Sequence, residues 1–61
     1  MNNLRKIDKW TIYSFGNDEE IVGLLIDGDR IEKFIGKVLR IDFEKHLVET
    51  DEGYFELGVE A

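Results

Sequence analysis

The sequence predicts a small all-β domain, and three observations support this prediction. The chain has 61 residues, which is enough for a single domain. β-branched and aromatic residues recur in short runs, and glycines at positions 16, 23, 28, 36, 53 and 58 separate many of these runs. The chain contains no proline, and at 43% hydrophobic residues it is too apolar for a disordered acidic chain. We therefore expect one β-barrel domain over residues 1–61.

Two strands are predicted in the N-terminal half, on either side of a turn at residues 16–18. Residues 9–15 are rich in β-branched and aromatic types, as is typical of a strand. Residues 20–27 form the second strand, and their continuous apolar run fits a strand that is covered on both sides. Gly23 within this run predicts a bulge or a sharp bend. Asp27-Gly28 then follows, and Asp-Gly between apolar runs is a strong hairpin signal.

Residues 30–40 fit two different structures. Apolar residues recur there at a helical spacing, and Asp29 with Glu32 three residues later resembles an N-terminal capping box. A glycine in the middle would cost a helix about 1 kcal/mol relative to alanine, and three β-branched residues weaken the helix further. We favour two strands, at residues 32–35 and 37–43. The alternative is an α+β fold with a helix near residues 30–40.

The C-terminal third predicts a β-hairpin. Residues 47–50 and 54–57 are two short strands, and residues 51–53 form a turn that is closed by a glycine. Residues 44–46 form the turn before the first of these strands. A meander of about five short strands in so short a chain predicts a small five-stranded antiparallel barrel, of the SH3-like or OB-like kind.

Three segments of the C-terminal half share one pattern: Ile41-Asp42-Phe43-Glu44, Val48-Glu49-Thr50 and Gly53-Tyr54-Phe55-Glu56-Leu57-Gly58. This Ile-Asp, Thr, Gly-Tyr-x-x-Leu-Gly pattern resembles that of short bacterial and phage proteins of unassigned function. The resemblance covers less than half of the chain. It implies a small SH3-like barrel, and it carries over no catalytic residue.

No pattern in the sequence points to catalysis or to a bound metal. The chain has no cysteine and one histidine, so thiolate sites and ordinary zinc sites are excluded. His46 lies in a predicted turn, where a solvated side chain is the simpler interpretation. Asp27, Asp29 and Glu32 lack the ligand spacing of a calcium loop. We therefore expect a protein that is not an enzyme and that holds no cofactor.

The chain is acidic, with a formal net charge of −6 from 14 acidic and 8 basic residues. This charge opposes direct binding to DNA or RNA, because phosphate binding depends on lysine and arginine. It also opposes docking on anionic membranes. No apolar run approaches the ~20 residues of a membrane-spanning helix, and the start lacks the apolar region of a secretory signal. The expected compartment is therefore the cytoplasm.

The acidic residues group in the predicted turns, and this grouping suggests a function. If these turns gather at one end of the barrel, they form an acidic rim that could meet a basic nucleic-acid-binding surface on another protein. If they do not, they are simply solvated turns. The residues predicted to contact a partner are Asp18, Glu19, Glu20, Asp27, Asp29, Asp51, Glu52 and Tyr54.

The predicted function is that of a small acidic protein-binding inhibitor, of the phage anti-defence kind, which blocks such a basic surface. The alternative is an SH3-like adaptor or accessory domain of a larger bacterial assembly. We also expect a homodimer, because a chain this short buries only about 60% of its unfolded surface and has no disulfide. The homodimer would form by edge pairing or through an apolar face near residues 24–26.

Overall fold

The computed structural model describes residues 4–61, which form five β-strands in a closed barrel. The strands are β1 (Lys6–Phe15), β2 (Asp18–Asp27), β3 (Arg30–Asp42), β4 (Leu47–Thr50) and β5 (Gly53–Leu57). Within the described residues there is no helix, and hence none long and apolar enough to cross a membrane. The prediction of a small all-β barrel is confirmed.

The barrel closes through one parallel strand pair. The four pairs that join consecutive strands are antiparallel, as predicted, whereas β1 and β5 are parallel, with Lys6 beside Glu56 and Ile7 beside Leu57. In an up-and-down order with an odd number of strands, the last strand runs in the same direction as the first. A five-stranded meander can therefore close only through a parallel pair.

The region around residues 30–40 is a single strand rather than a helix or two strands. β3 has 13 residues because its first part pairs with β2 and its last part pairs with β4. The helical spacing arises because apolar residues lie on both sides of this strand. Phe34 and Val38 pack inward, Ile31 and Ile35 lie outside, and Leu39 is the extra residue at a bulge opposite β4.

The strand ends differ slightly from the predicted ones. β1 begins at Lys6, three residues before the predicted start at residue 9, because Lys6 and Ile7 pair with both β2 and β5. The turn between β2 and β3 consists of Gly28 and Asp29, with φ of 63° at the glycine, so Asp27 is the last residue of β2. Glycine adopts this backbone conformation without steric cost. The last hairpin turns at residues 51–52, and Gly53 already pairs with Thr50.

Gly23 lies opposite the predicted bulge, although the extra residue belongs to β1. The pairing of β1 with β2 shifts between Asp8 and Thr11, so Lys9 and Trp10 together face Gly23. A Cβ atom at Gly23 would lie 2.7 Å from Ile7 Cγ2 and 2.9 Å from the carbonyl oxygen of Asp8. Since no side chain fits there, the glycine lets the two strands cross closely.

The bulge turns the Trp10 side chain into the core, where it is only 6% exposed. Its Nε1–H donates a hydrogen bond of 3.0 Å to the Gly58 carbonyl. The backbone of Trp10 is also held, because its N–H donates to Val59 and its carbonyl accepts from Ala61. The buried apolar residues that form the core are Ile7, Trp10, Ile21, Leu25, Phe34, Val48, Phe55 and Leu57.

We predict that Trp10→Ala removes most of the stability of the domain. Replacing a buried tryptophan by alanine costs about 3–5 kcal/mol, and a domain of this length has only about 3–9 kcal/mol to lose. Trp10→Phe keeps an aromatic ring and loses the hydrogen bond to Gly58, so it should lower the free energy of unfolding by less than Trp10→Ala does, about 1–3 kcal/mol. Urea denaturation followed by circular dichroism measures both losses. Equal stability of Trp10→Ala and the wild type would contradict this account of the core.

Candidate functional site

The outer surface of β1, β2 and β3 carries a continuous set of apolar side chains, which we call the outer face. Its residues alternate along the strands with buried Ile21, Leu25 and Phe34. Its two β3 members, Ile31 and Ile35, are the most exposed residues of the outer face, at 63% and 65%. The members of the outer face are Thr11, Tyr13 and Phe15 on β1, Val22, Leu24 and Ile26 on β2, and Ile31 and Ile35 on β3.

The strand register arranges the outer face in rows across the three strands. Ile26 lies beside Ile31, and Val22 lies between Thr11 and Ile35. Lysine side chains flank the middle of the face, where Lys9 and Lys33 line a shallow groove of about 510 Å³ together with outer-face residues. The middle of the outer face is therefore apolar with lysines beside it, and its one neighbouring carboxylate among residues 4–61, Asp8 beside Leu24, accepts a hydrogen bond from the Val59 N–H.

One end of the outer face is acidic. In the next row along the strands, Glu20 lies between Tyr13 and Lys37, and beyond it Asp18 lies beside Phe15. The Lys37 Nζ atom is 3.5 Å from Asp18 Oδ1. Phe15, Asp18, Glu20 and Lys37 together line a depression of about 270 Å³. Two exposed aromatic rings thus stand beside two carboxylates.

The turn between β4 and β5 reaches the same place from the other side of β3. The backbone N–H of Lys37 donates to Asp51 Oδ1 at 3.1 Å, and the Asp51 N–H donates to the Lys37 carbonyl at 3.1 Å. Asp51 and its neighbour Glu52 therefore lie across β3 from Asp18 and Glu20. We call these four residues, Asp18, Glu20, Asp51 and Glu52, the acidic end.

The other residues predicted to contact a partner lie away from the acidic end. Glu19 faces the opposite way from its two neighbours, since strand side chains alternate, and it lines a separate groove. Asp27 and Asp29 lie at the far tip of the β2–β3 hairpin, up to about 23 Å along β3 from Lys37. Tyr54 is exposed on β5 opposite Glu49.

The sequence prediction missed most of the outer face. Two of its β2 members, Leu24 and Ile26, belong to the apolar face predicted near residues 24–26, but Val22 and the β3 members were not assigned to it. The signal of the β3 members was the alternation with Phe34 on β3, which the competing helical spacing obscured. Tyr13 and Phe15 alternate along the predicted strand and so share one of its faces, and the structure shows that this face is exposed.

No known protein family, curated protein or solved structure matches this chain. The resemblance of residues 41–58 to short bacterial and phage proteins therefore rests on the sequence pattern alone, and the part that the structure supports is a small five-stranded barrel compatible with an SH3-like one. Among residues 4–61, no group of three histidine or acidic side chains is placed to hold a metal ion.

We predict that the two residues of the β4–β5 turn differ in their effect on stability. Asp51→Lys loses the hydrogen bond from the Lys37 N–H and should cost about 0.5–1.5 kcal/mol. Asp51→Asn keeps an acceptor oxygen and should cost less. Glu52→Lys, the matched control, should change stability by less than about 0.5 kcal/mol, because no fold contact of its carboxylate is involved. Thermal unfolding of the three variants tests this ranking, and an equal effect of Asp51→Lys and Glu52→Lys would contradict it.

Proposed function

We propose that this protein is a non-enzymatic binding module that acts as a small acidic inhibitor, covering a basic nucleic-acid-binding surface on another protein. The single observation that supports this most is the position of Tyr13 and Phe15 beside Asp18 and Glu20, at the end of the apolar outer face. Aromatic and apolar side chains with a charged rim are the usual composition of a protein-binding surface.

The outer face supplies the contact area in this proposal. A monomeric protein of this size rarely exposes an apolar patch beyond a few hundred Å² unless the patch has a binding role. Ile31 and Ile35 would act as anchors, because apolar side chains that become buried in an interface mainly slow dissociation.

The acidic end supplies the choice of partner. Asp18 pairs with the Lys37 ammonium, Glu20 lies beside Lys37 on the neighbouring strand, and Asp51 accepts from the Lys37 backbone N–H. Lys37 supplies one positive charge against the four carboxylates of the acidic end, so this end keeps an excess of negative charge. Charges at the edge of an interface attract a partner of opposite charge and raise the association rate, and added salt weakens this attraction. A basic groove that binds nucleic acid is a surface of this kind, and a bound acidic end would occupy the place of the phosphates.

To test the proposal, the tagged protein is used to capture its partner from the source organism, and the association and dissociation rates are then measured by surface plasmon resonance at two salt concentrations. We expect Asp18→Lys with Glu20→Lys to slow association several-fold and to flatten its salt dependence. We expect Ile35→Thr to speed dissociation instead. The matched control is Asp27→Lys with Asp29→Lys, which reverses as many charges at the far tip of the hairpin.

Unchanged rates and an unchanged salt slope for the Asp18/Glu20 variant would refute the proposal. An equal effect of the Asp27/Asp29 control would also refute it, because net charge rather than the acidic end would then govern association.

We also propose that the outer face lets two copies of the chain associate. Among residues 4–61, nine large hydrophobic side chains are exposed and only eight are buried in the core, so much of the apolar surface is uncovered in a single chain. Pairing the outer faces of two copies would bury part of this surface. Association of this kind would compete with binding to another protein, since both would use the same face.

Size-exclusion chromatography with light scattering tests self-association. At tens of micromolar, we predict the mass of two chains for the wild type. Ile31→Thr with Ile35→Thr should give the mass of one chain, because these are the most exposed apolar side chains of the outer face. Leu39→Thr removes an equally exposed apolar residue from the β3 bulge and should leave two chains. A wild-type mass of one chain would show that the outer face is free.

A further inference from the structure

A second groove lies on the other side of β1 and shares only Thr11 with the outer face. It has a volume of about 740 Å³ and runs between β1 and the loop that joins β3 to β4. Its apolar lining includes Trp10, Ile12 and Phe43, and the Phe43 ring is 61% exposed although its centroid is 6.3 Å from that of Trp10. Neither the core nor the outer face accounts for this exposed ring.

The floor of this groove ends at an unpaired strand edge. The residues after β5 run beside β1 as far as Trp10, whose N–H donates to the Val59 carbonyl and whose carbonyl accepts from the Ala61 N–H. Alternate residues of a strand direct their backbone N–H and C=O groups to the same side. The N–H and C=O groups of Ile12 and Ser14 therefore point to the same edge as those of Trp10. Among residues 4–61, no strand pairs with the edge beyond that point.

Two carboxylates line the groove near this free edge: Glu60 on the side of the edge, and Glu19 on β2, across β1 from it. Glu19 pairs with Ser14 and lines the groove, whereas its neighbours Asp18 and Glu20 belong to the acidic end on the outer side. Glu60 lines the other end of the groove, beside Trp10. The groove therefore combines unpaired backbone donors and acceptors, an apolar lining and negative charge at both ends.

We propose that this groove binds an extended, lysine- or arginine-bearing segment of another protein, which adds as a strand to the edge of β1 at Ile12 and Ser14. In this mode of recognition, backbone hydrogen bonds give affinity and alternate side chains give specificity. The residues after β5 already occupy the lower part of the same edge in this way, and the added segment continues the sheet beyond them.

The charge of the groove favours a basic segment over a second copy of this chain. Edge-to-edge pairing of two copies about a twofold axis would bring Glu19 and Glu60 of one copy towards the same residues of the other, and like charges oppose such pairing. A lysine or arginine on an added strand would instead meet these carboxylates. This site does not depend on the outer face, so its failure and that of the proposed function are separate results.

The test titrates the whole protein with a capped six-residue peptide in which valine and lysine alternate. Binding is monitored through the backbone amide signals of the protein in nuclear magnetic resonance spectra. We expect the signals of Ile12 and Ser14 to shift on titration and their hydrogen exchange to slow. A peptide with glutamate in place of lysine should bind about tenfold more weakly or not at all, and Glu19→Gln with Glu60→Gln should weaken the lysine peptide about three- to tenfold. Asp27→Asn with Asp29→Asn removes as many charges at the far tip of the β2–β3 hairpin; it is the matched control and should leave binding of the lysine peptide unchanged.

A proline at position 14 tests the strand addition itself. The Ser14 N–H points to the groove and takes no part in the pairing with β2, so Ser14→Pro should fold and lose peptide binding, whereas Ser14→Ala should bind as the wild type does. A lysine peptide whose alternate backbone nitrogens are methylated tests the strand addition without altering the protein. It cannot donate the backbone hydrogen bonds, so it should not bind.

Three results would overturn the proposal. The first is equal binding of the glutamate and lysine peptides. The second is a set of shifts that maps to the outer face at Val22 and Ile35 rather than to Ile12 and Ser14. The third is a concentration-dependent shift of Ile12 and Ser14 without peptide, which would assign the edge to a second copy of the chain.

Discussion

The barrel depends on the contact between β1 and the residues that follow β5, where the Trp10 indole is fixed. Five strands in a meander must close through a parallel pair, and this pair includes only Lys6 with Glu56 and Ile7 with Leu57. So short a pairing needs support, which the indole supplies by packing in the core and donating to the Gly58 carbonyl. The bulge at Lys9 and Trp10 makes this orientation possible, and it requires the glycine opposite.

The same bulge sets what the upper half of β1 presents to solvent. After the bulge, the described part of the chain pairs with β1 only through β2. The last residues of β1 therefore contribute to two separate surfaces, the outer face and the free edge beside the groove. Side-chain alternation divides three consecutive carboxylates between them: Asp18 and Glu20 lie at the end of the outer face, and Glu19 lies in the groove. A single acidic run in the sequence thus contributes to two surfaces with different geometry.

The sequence predicted most strands and turns, because their signals are local, but the predicted break between residues 35 and 37 was wrong, since β3 is one strand. A bulge or a sharp bend was predicted from Gly23, a glycine within an apolar run, and the bulge lies opposite it in β1. The hairpins were predicted from their turn residues. The helical spacing in residues 30–40 was ambiguous because β3 changes partner and carries a bulged Leu39. The acidic residues were visible as clusters, but which of them meet depends on the stagger of the strands, which brings Asp51 to Lys37. No local pattern in the sequence encodes that long-range contact.

Displacement of nucleic acid from the captured partner tests the central claim most directly. A fluorescently labelled nucleic acid bound to that partner would be titrated with this protein while its anisotropy is followed. The account predicts that the nucleic acid is released, and that the Asp18→Lys, Glu20→Lys variant needs a several-fold higher concentration to release it. A ternary complex, in which the partner holds the nucleic acid and this protein together at saturation, would contradict the account.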